Sequence, residues 1–339
     1  MDTRSTLMKG RFVGLSAAAF ACASTFALTP LSAAAQENVA DYPSRAIRFI
    51  VPYAPGGLPD TVARIVGQQL TERTGRSVVV ENKPGANGVI AAQTLLGAPA
   101  DGYTFLVTDG SMMSINPYLY KDLAYEHKRD FIPVSLVATS PLFLAAREGL
   151  PVKTFDDFIK LAKNSASKPI TYGSSGVGSS HHLTMEAFSH ALNLPVSHVP
   201  FRGSGQSVPA LVGNQVDVVI SAYPSLAGFQ EKGQAKILAT NSLERSALAP
   251  NVPAMSEVVP GFNFAVTVGV LAPKGTPAAL VDKLSKEIAE GIKNKAVADR
   301  MLGLGIEPVG GTPQDYVKAI DEETARYESA IKAAGIQAN

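Results

Sequence analysis

Phe49-Ile-Val-Pro-Tyr-Ala-Pro-Gly-Gly-Leu-Pro-Asp60 is the stretch whose reading decides the fold. An apolar run gives out in Pro-Gly-Gly, and Pro59 opens the next segment. Ala46 to Tyr53 has the composition of a strand. Downstream, Val62, Ile65, Val66 and Leu70 recur with the period of a helix, and Gly75 stops it. Gly56 and Gly57 therefore stand at the C-terminal end of a strand, just before a helix N-terminus. Open α/β sheets take their ligands at that end. The helix start offers unpaired N–H groups and about half a positive charge. Glycine also lacks the Cβ that would hold an anion away. The loop reads either as a backbone cradle for a carboxylate or phosphate, or as a tight turn whose glycines only supply positive φ.

The same alternation runs outward. Ser77 to Val80 reads as a strand, Val89 to Leu96 as a helix and Thr104 to Thr108 as a third strand. This βαβαβ order implies a parallel sheet with helices on its faces. Beyond residue 140, Leu142 to Ala146 is a strand, and Thr154 caps a helix carrying Phe155, Phe158 and Ile159. Strands follow at Ile170 to Tyr172, Val196 to Val199, Val216 to Ile220 and Lys236 to Ala239, with helices between. Thr276-Pro277 and Thr312-Pro313 open two late helices, each with Thr as N-cap and Pro at N1. Pro141 and the Pro273-Lys-Gly turn bracket a central unit of roughly 130 residues, the size of one domain. Residues 36–142 and 269–339 form one discontinuous lobe, with 143–268 inserted as the second. Strands near Leu142 to Ala146 and Val266 to Leu271 then cross between lobes as a two-strand hinge.

Residues 1–35 read as a cleavable secretory signal and are set aside from the fold. Arg4, Lys9 and Arg11 are its basic end, Phe12 to Leu31 its apolar stretch, and Ala33-Ala-Ala35 its cleavage site. An uncleaved anchor helix, or lipidation at Cys22, is the alternative. Cleavage leaves 304 of 339 residues, with 27 basic and 28 acidic side chains, a net charge of −1. No basic block occurs, which argues against nucleic acid or an anionic membrane surface as partner. Cys22 is the one cysteine, so the exported chain has no disulfide, thiolate metal site or cysteine nucleophile.

The inserted unit repeats the glycine device. Gly173-Ser-Ser-Gly-Val-Gly-Ser-Ser180 and Phe201-Arg-Gly-Ser-Gly205 each lie between a strand and a helix. If the lobes face each other, these starts converge on one cleft suited to a small anion; exposed linkers are the other reading. Arg202 suits a ligand carboxylate or an interlobe ion pair. Asp60 sits in a first turn, where it favours the macrodipole. Tyr53 and Tyr223 end strands at the expected rim, and the wall is expected from Thr108 to Asn116 and Ser221 to Ser225. Gly176-Val-Gly178 begins like a dinucleotide motif, but His181 occupies the third glycine position and no acidic residue follows at the right distance. No Walker loop and no G-x-S-x-G elbow occurs. His182 and Glu186, four apart, read as a side-chain contact rather than a metal pair, and no cofactor is expected. A hydrolase built on Ser174 or Ser179 with a histidine has no elbow to support it.

These loops resemble the periplasmic solute-binding proteins of tripartite tricarboxylate transporters, the Bug family. The likeness rests on Pro55-Gly-Gly-Leu-Pro-Asp60, Glu81-Asn-Lys-Pro-Gly-Ala-Asn-Gly88, Pro99-Ala-Asp-Gly-Tyr-Thr104 and Asn116-Pro-Tyr-Leu-Tyr120. It continues through Gly176-Val-Gly-Ser179, Val199-Pro-Phe-Arg-Gly203, Gly213-Asn-Gln-Val-Asp217 and Ala272-Pro-Lys-Gly-Thr-Pro277. The resemblance implies an α/β, two-lobed, type II periplasmic binding protein fold and capture of a small organic acid between lobes. It implies that Tyr53, Gly56, Gly57 and Asp60 hold a carboxylate from the first lobe. It implies that Ser174, Ser179, Gly203 and Ser204 complete the grip from the second; Arg202, Thr108 and Tyr223 are further candidates from the reading of the residues themselves. One departure is plain: the family's tryptophan before Ala-Pro-x-Gly-Thr-Pro is replaced by small residues in Ala265-Val-Thr-Val-Gly-Val270.

The expectation is a non-catalytic, monomeric periplasmic receptor that delivers a di-/tricarboxylate or aromatic acid to membrane permease subunits. The rivals are a secreted hydrolase or transferase acting on an acidic substrate, and a ligand sensor for a membrane histidine kinase.

Overall fold

A computed structural model describes residues 38–335. The expected signal segment, with Cys22, lies outside them. In chain order the strands are β1 (Ile47–Val51), β2 (Val78–Asn82), β3 (Thr104–Asp109), β4 (Phe131–Ser140), β5 (Leu142–Arg147) and β6 (Ile170–Ser174). They continue as β7 (Val196–Pro200), β8 (Val218–Ala222), β9 (Ala235–Thr240), β10 (Val266–Pro273) and β11 (Glu307–Pro308). Two sheets result, ordered β11-β4-β10-β3-β1-β2 and β7-β6-β8-β5-β9.

The parallel core of each sheet is what the alternation dictates. β1 pairs in parallel with β2 and β3, and β6 with β7 and β8. Helices cover both faces, so β3 and β8 are buried along their whole length, as central strands of covered sheets are. The Leu58–Thr74 and Ala278–Lys293 helices pack on one face of the first sheet through Val62, Val66, Leu284 and Ile288. The Val89–Leu96 and Pro313–Ala334 helices cover the other through Ala92, Leu95, Tyr316 and Ile320. In the second sheet, Phe155, Phe158 and Phe188 fill one face, and Val208, Leu211 and Leu226 the other.

Both sheets are mixed, because β10 runs antiparallel to β3 and β4, and β5 antiparallel to β8 and β9. β4 is absent from the sequence reading. It is separated from β5 by Pro141 alone, so Phe131 to Arg147 looks like one apolar stretch although it feeds two sheets. The chain returns through residues 241–265. The two passages meet at Asn241, which is fully buried. Its Oδ1 accepts from Leu142 N–H at 2.7 Å, its own N–H donates to Leu142 O at 2.9 Å, and its Nδ2 donates to Phe264 O at 2.6 Å.

Helix boundaries follow local chemistry. Thr154 and Thr312 each form a capping box, with Asp157 and Asp315 respectively. Thr276 corrects the expected cap: its hydroxyl donates to Pro273 O at 2.8 Å, and Pro277 takes the N-cap position instead. The small residues that replace the family's tryptophan are matched by Tyr316, whose ring occupies the space a Cβ on Gly269 would need.

Candidate functional site

The glycine-rich loops of the two lobes lie against each other. Ala54 N–H donates to Arg202 O at 3.0 Å, and Ser225 Oγ donates to Gly56 O at 2.9 Å. The glycines explain the closeness. Gly203 has φ +122°, and a Cβ there would stand 3.0 Å from Ala54 N and 3.1 Å from Tyr53 Cβ. On Gly205 a Cβ would lie under 3.0 Å from Pro55 O. The bare backbone that these loops need is thus used by one lobe to approach the other.

Further bonds cross nearby. Asn87, in the left-handed region at φ 43°, spends both amide protons: Nδ2 donates to Asn116 Oδ1 and, across the gap, to Gly178 O, each at 2.7 Å. Ser180 N–H donates to Ser111 Oγ at 3.0 Å, and Ser180 Oγ donates to Asp109 Oδ2 at 3.1 Å. Asp109 also accepts from Tyr53 Oη at 3.0 Å and Ser111 N–H at 3.1 Å. Burial raises the Asp109 carboxyl above its usual range, and the donors from Tyr53, Ser111 and Ser180 offset only part of this. Burial, with Asp109 beside it, likewise lifts the Tyr53 phenol well above normal.

Some of the amide protons expected to stand open at the helix starts are engaged by the chain, whereas those of Gly57, Gly203, Ser204 and Gly205 make no hydrogen bond among the described residues. Gly56 N–H donates to Asp60 Oδ2 at 2.9 Å. Gly178 N–H donates to His182 Nδ1 at 3.2 Å, and His182 N–H to Ser179 Oγ at 3.2 Å. Asp60 is a brace rather than a ligand-facing group. It also accepts from Arg64 Nη2 and Asn82 Nδ2, both at 2.9 Å. Burial alone would raise its pKa, but Arg64, Gly56 N–H and Asn82 outweigh burial and lower it. Gly57 has an ordinary φ of −80°, and a Cβ there would meet only Ala54 O at 3.7 Å.

Between the loops lies a cavity of about 210 Å³, lined by Tyr53, Asn87, Tyr120, Ser175, Phe201 and Arg202 among others. Of the expected residues, Tyr53 and Arg202 line it. Gly203 and Ser204 stand beside it in the same loop. Ser174 and Ser179 are spent within the second lobe: Ser174 Oγ lies 2.6 Å from His198 Nε2 in β7, and Ser179 Oγ donates to Gly176 O at 2.8 Å. Thr108 is buried within β3, where its Oγ1 donates to Asp109 O at 3.1 Å. Tyr223 packs edge-on against Phe143, ring centroids 6.1 Å apart, and also does not line the cavity. Three larger hollows, of about 450, 570 and 370 Å³, lie elsewhere, around Phe155 and Val258, around Pro117 and Arg129, and around Leu248 and Gly305.

Asn87, Tyr120, Ser175 and Phe201 were not singled out from the sequence as site residues. Their signal was available for two of them: Asn87 lies in the Pro-Gly-Ala-Asn-Gly run, whose glycines flank a residue with positive φ, and Tyr120 ends the Asn-Pro-Tyr-Leu-Tyr run.

A stack of Tyr172, His198 and His182 backs the second-lobe loop, with ring centroids at 4.8 and 4.0 Å. Tyr172 Oη donates to Glu186, and His182 Nε2 lies 4.0 Å from the same carboxylate. Burial pushes His181 and His182 down to about 4, and burial with His182 nearby pushes His198 to about 3. The Ser174–His198 contact therefore lacks what nucleophilic catalysis asks of a base, a pKa near the working pH. Ser174 is itself fully buried. Among the described residues, no three His, Cys, Asp or Glu side chains gather as a metal site, and no helix is long and apolar enough to cross a membrane.

Comparison with known proteins places this architecture. The family model described as the tripartite tricarboxylate transporter family receptor matches residues 62–336. Protein BugT of Bordetella pertussis is 32% identical over 304 residues, covering 89% of this chain and 93% of its own. The Rhodopseudomonas palustris protein Rpa4515, solved with adipate, is 32% identical with a TM-score of 0.84, over 87% of this chain and 99% of its own. MatC of the same organism, solved with bound malate, is 29% identical with a TM-score of 0.80, over 86% of this chain and 100% of its own. The two-sheet α/β architecture and these likenesses agree, and the chain belongs to the tripartite tricarboxylate transporter receptor family, the Bug-type periplasmic binding proteins.

Proposed function

We propose that this protein is a periplasmic receptor that captures one small organic carboxylate between its lobes and presents it to a membrane permease. The observation that carries this reading is the cavity between the lobe loops, with Arg202 on its lining, exposed, and without a partner for its side chain among the described residues. An unpaired guanidinium beside a small interlobe hollow is a ready site for a carboxylate. The geometry supports closure about the ligand. Residues 36–142 with 269–339 contribute Tyr53 and Asn87, while 143–268 contribute Ser175, Phe201 and Arg202. A ligand touching both halves binds the closed arrangement better than the open one, and so shifts the population towards it. Neither a nucleophile with a competent base nor a metal cluster among the described residues favours turnover.

The test is a thermal-shift screen of residues 36–339 against organic acids and neutral sugars. A cognate acid at a hundredfold excess over its Kd stabilises the native state by about 2.7 kcal/mol, a rise of several degrees. A melting point moved by a neutral sugar and by no acid refutes the reading. Co-purification of the loaded form, but not the empty form, with permease subunits in detergent tests the delivery step.

A further inference from the structure

The cavity between the lobes has a lopsided chemistry, and this limits which acids it can take. Its polar side chains are mostly used up before any ligand arrives. Tyr53 Oη is held by Asp109 at 3.0 Å, with Asn87 Oδ1 3.3 Å away. Tyr120 Oη donates to Val177 O at 3.3 Å. Both Asn87 amide protons are committed, one to each lobe. What these groups offer the hollow is ring carbon and saturated amide. Phe201 adds a third ring without any polar atom.

Only two side chains on the lining keep donors to give. Ser175 Oγ has a long contact of 3.4 Å to Ser204 Oγ and can turn its proton elsewhere. Arg202 is at the rim, and its side chain has no partner among the described residues. No Asp, Glu or Lys lines the cavity. At about 210 Å³ it is also smaller than the ~300–1,000 Å³ of pockets that hold drug-sized ligands.

A single cation at the mouth balances a single carboxylate. A second carboxylate, carried inward, would be desolvated against rings and spent side-chain hydrogen-bonding groups with no second cation to pair it, which is expensive. A planar apolar body meets the opposite situation: three aromatic side chains in a small enclosure suit a ring. We propose, resting on the receptor reading above, that the ligand class is a compact aromatic monocarboxylate. Its carboxylate meets Arg202 and Ser175 at the mouth, and its ring lies among Tyr53, Tyr120 and Phe201.

Titration calorimetry on the mature chain decides this, with benzoate, cyclohexanecarboxylate, benzamide, adipate and malate as probes. Benzoate is expected to bind at least tenfold more tightly than adipate or malate, and tenfold more tightly than uncharged benzamide. Cyclohexanecarboxylate, with the same charge and no π face, is expected to fall several-fold below benzoate. Arg202→Gln, at a rim side chain with no internal partner, is expected to keep the melting point and lose tenfold or more in benzoate affinity. If adipate or malate binds as well as benzoate, or if benzamide does, the aromatic monocarboxylate class is overturned while carboxylate capture still stands in the first case. If no acid binds at all, the receptor reading itself fails.

Discussion

Gly205→Ala separates closure from folding. Gly205 lies in the first turn of the Ser204–Val212 helix, and its φ is outside the left-handed region. An alanine there therefore fits the second lobe's own backbone, and the exchange favours the helix by up to about 1 kcal/mol. In the closed state, however, the new Cβ would come under 3.0 Å from Pro55 O in the opposite lobe. Restoring an ordinary C···O contact requires the loops to part by about 1 Å. Two bonds then stretch beyond useful length, Ala54 N–H to Arg202 O (3.0 Å) and Ser225 Oγ to Gly56 O (2.9 Å). At about 0.5–1.5 kcal/mol each, their loss weakens closure by about 1–3 kcal/mol. Ligand affinity should fall by about 5–150-fold. Titration calorimetry with a bound acid reads that change, and small-angle scattering reads the more open particle. Thermal unfolding without ligand should show no loss. Gly228→Ala, where a Cβ meets nothing within 4 Å, is the matched control. If Gly205→Ala binds as tightly as the parent and scatters as compactly, the interlocking of these loops does not govern closure.

Other outcomes rest on single groups. Asn87→Gly keeps the left-handed backbone but removes the amide that bridges Asn116 and Gly178; affinity should drop by about 1–3 kcal/mol, read by calorimetry. Glu323 is fully buried and its pKa is raised to about 7, chiefly by burial, against the Thr267 N–H bond and Arg326. A raised carboxyl binds its proton more tightly when folded, so its contribution is present below pH ~4.5 and lost as pH climbs through 7. Glu323→Gln should flatten the stability profile between those limits by about 3 kcal/mol, measured by denaturant unfolding at each pH. The histidines act in the other direction. His181 and His182, held near 4 by burial, take up protons mainly in the unfolded chain, so stability should fall as pH drops below ~6.5. His182→Asn should blunt that acid loss in the same assay.

How much of this was legible beforehand depends on the range of each signal. The βα units were readable because their causes are local: the apolar period from Val62 to Leu70, the αL glycine at Gly75, and the capping box at Thr154. The sheet order was not, since β10 inserts between β3 and β4 from more than a hundred residues downstream. Nor was β4, whose join to β5 is one proline wide. At the site, the sequence pointed to glycine loops in both lobes, and those loops do meet. It assigned them open amides, and short-range partners claim three of these: Asp60 takes Gly56 N–H, His182 takes Gly178 N–H and Ser179 takes His182 N–H. The cavity's own side chains come from five separate loops. What makes Asn87 or Tyr120 a wall residue is the closed arrangement of the lobes, and no local pattern carries that.

The knot at Asn241 has a mechanical consequence. One amide side chain lashes the outgoing passage at Leu142 to the returning one at Phe264, so the two connections cannot slide independently. With a proline as the sole spacer on one side, whatever swing the halves possess is that of a gate on one pin rather than of beads on a string.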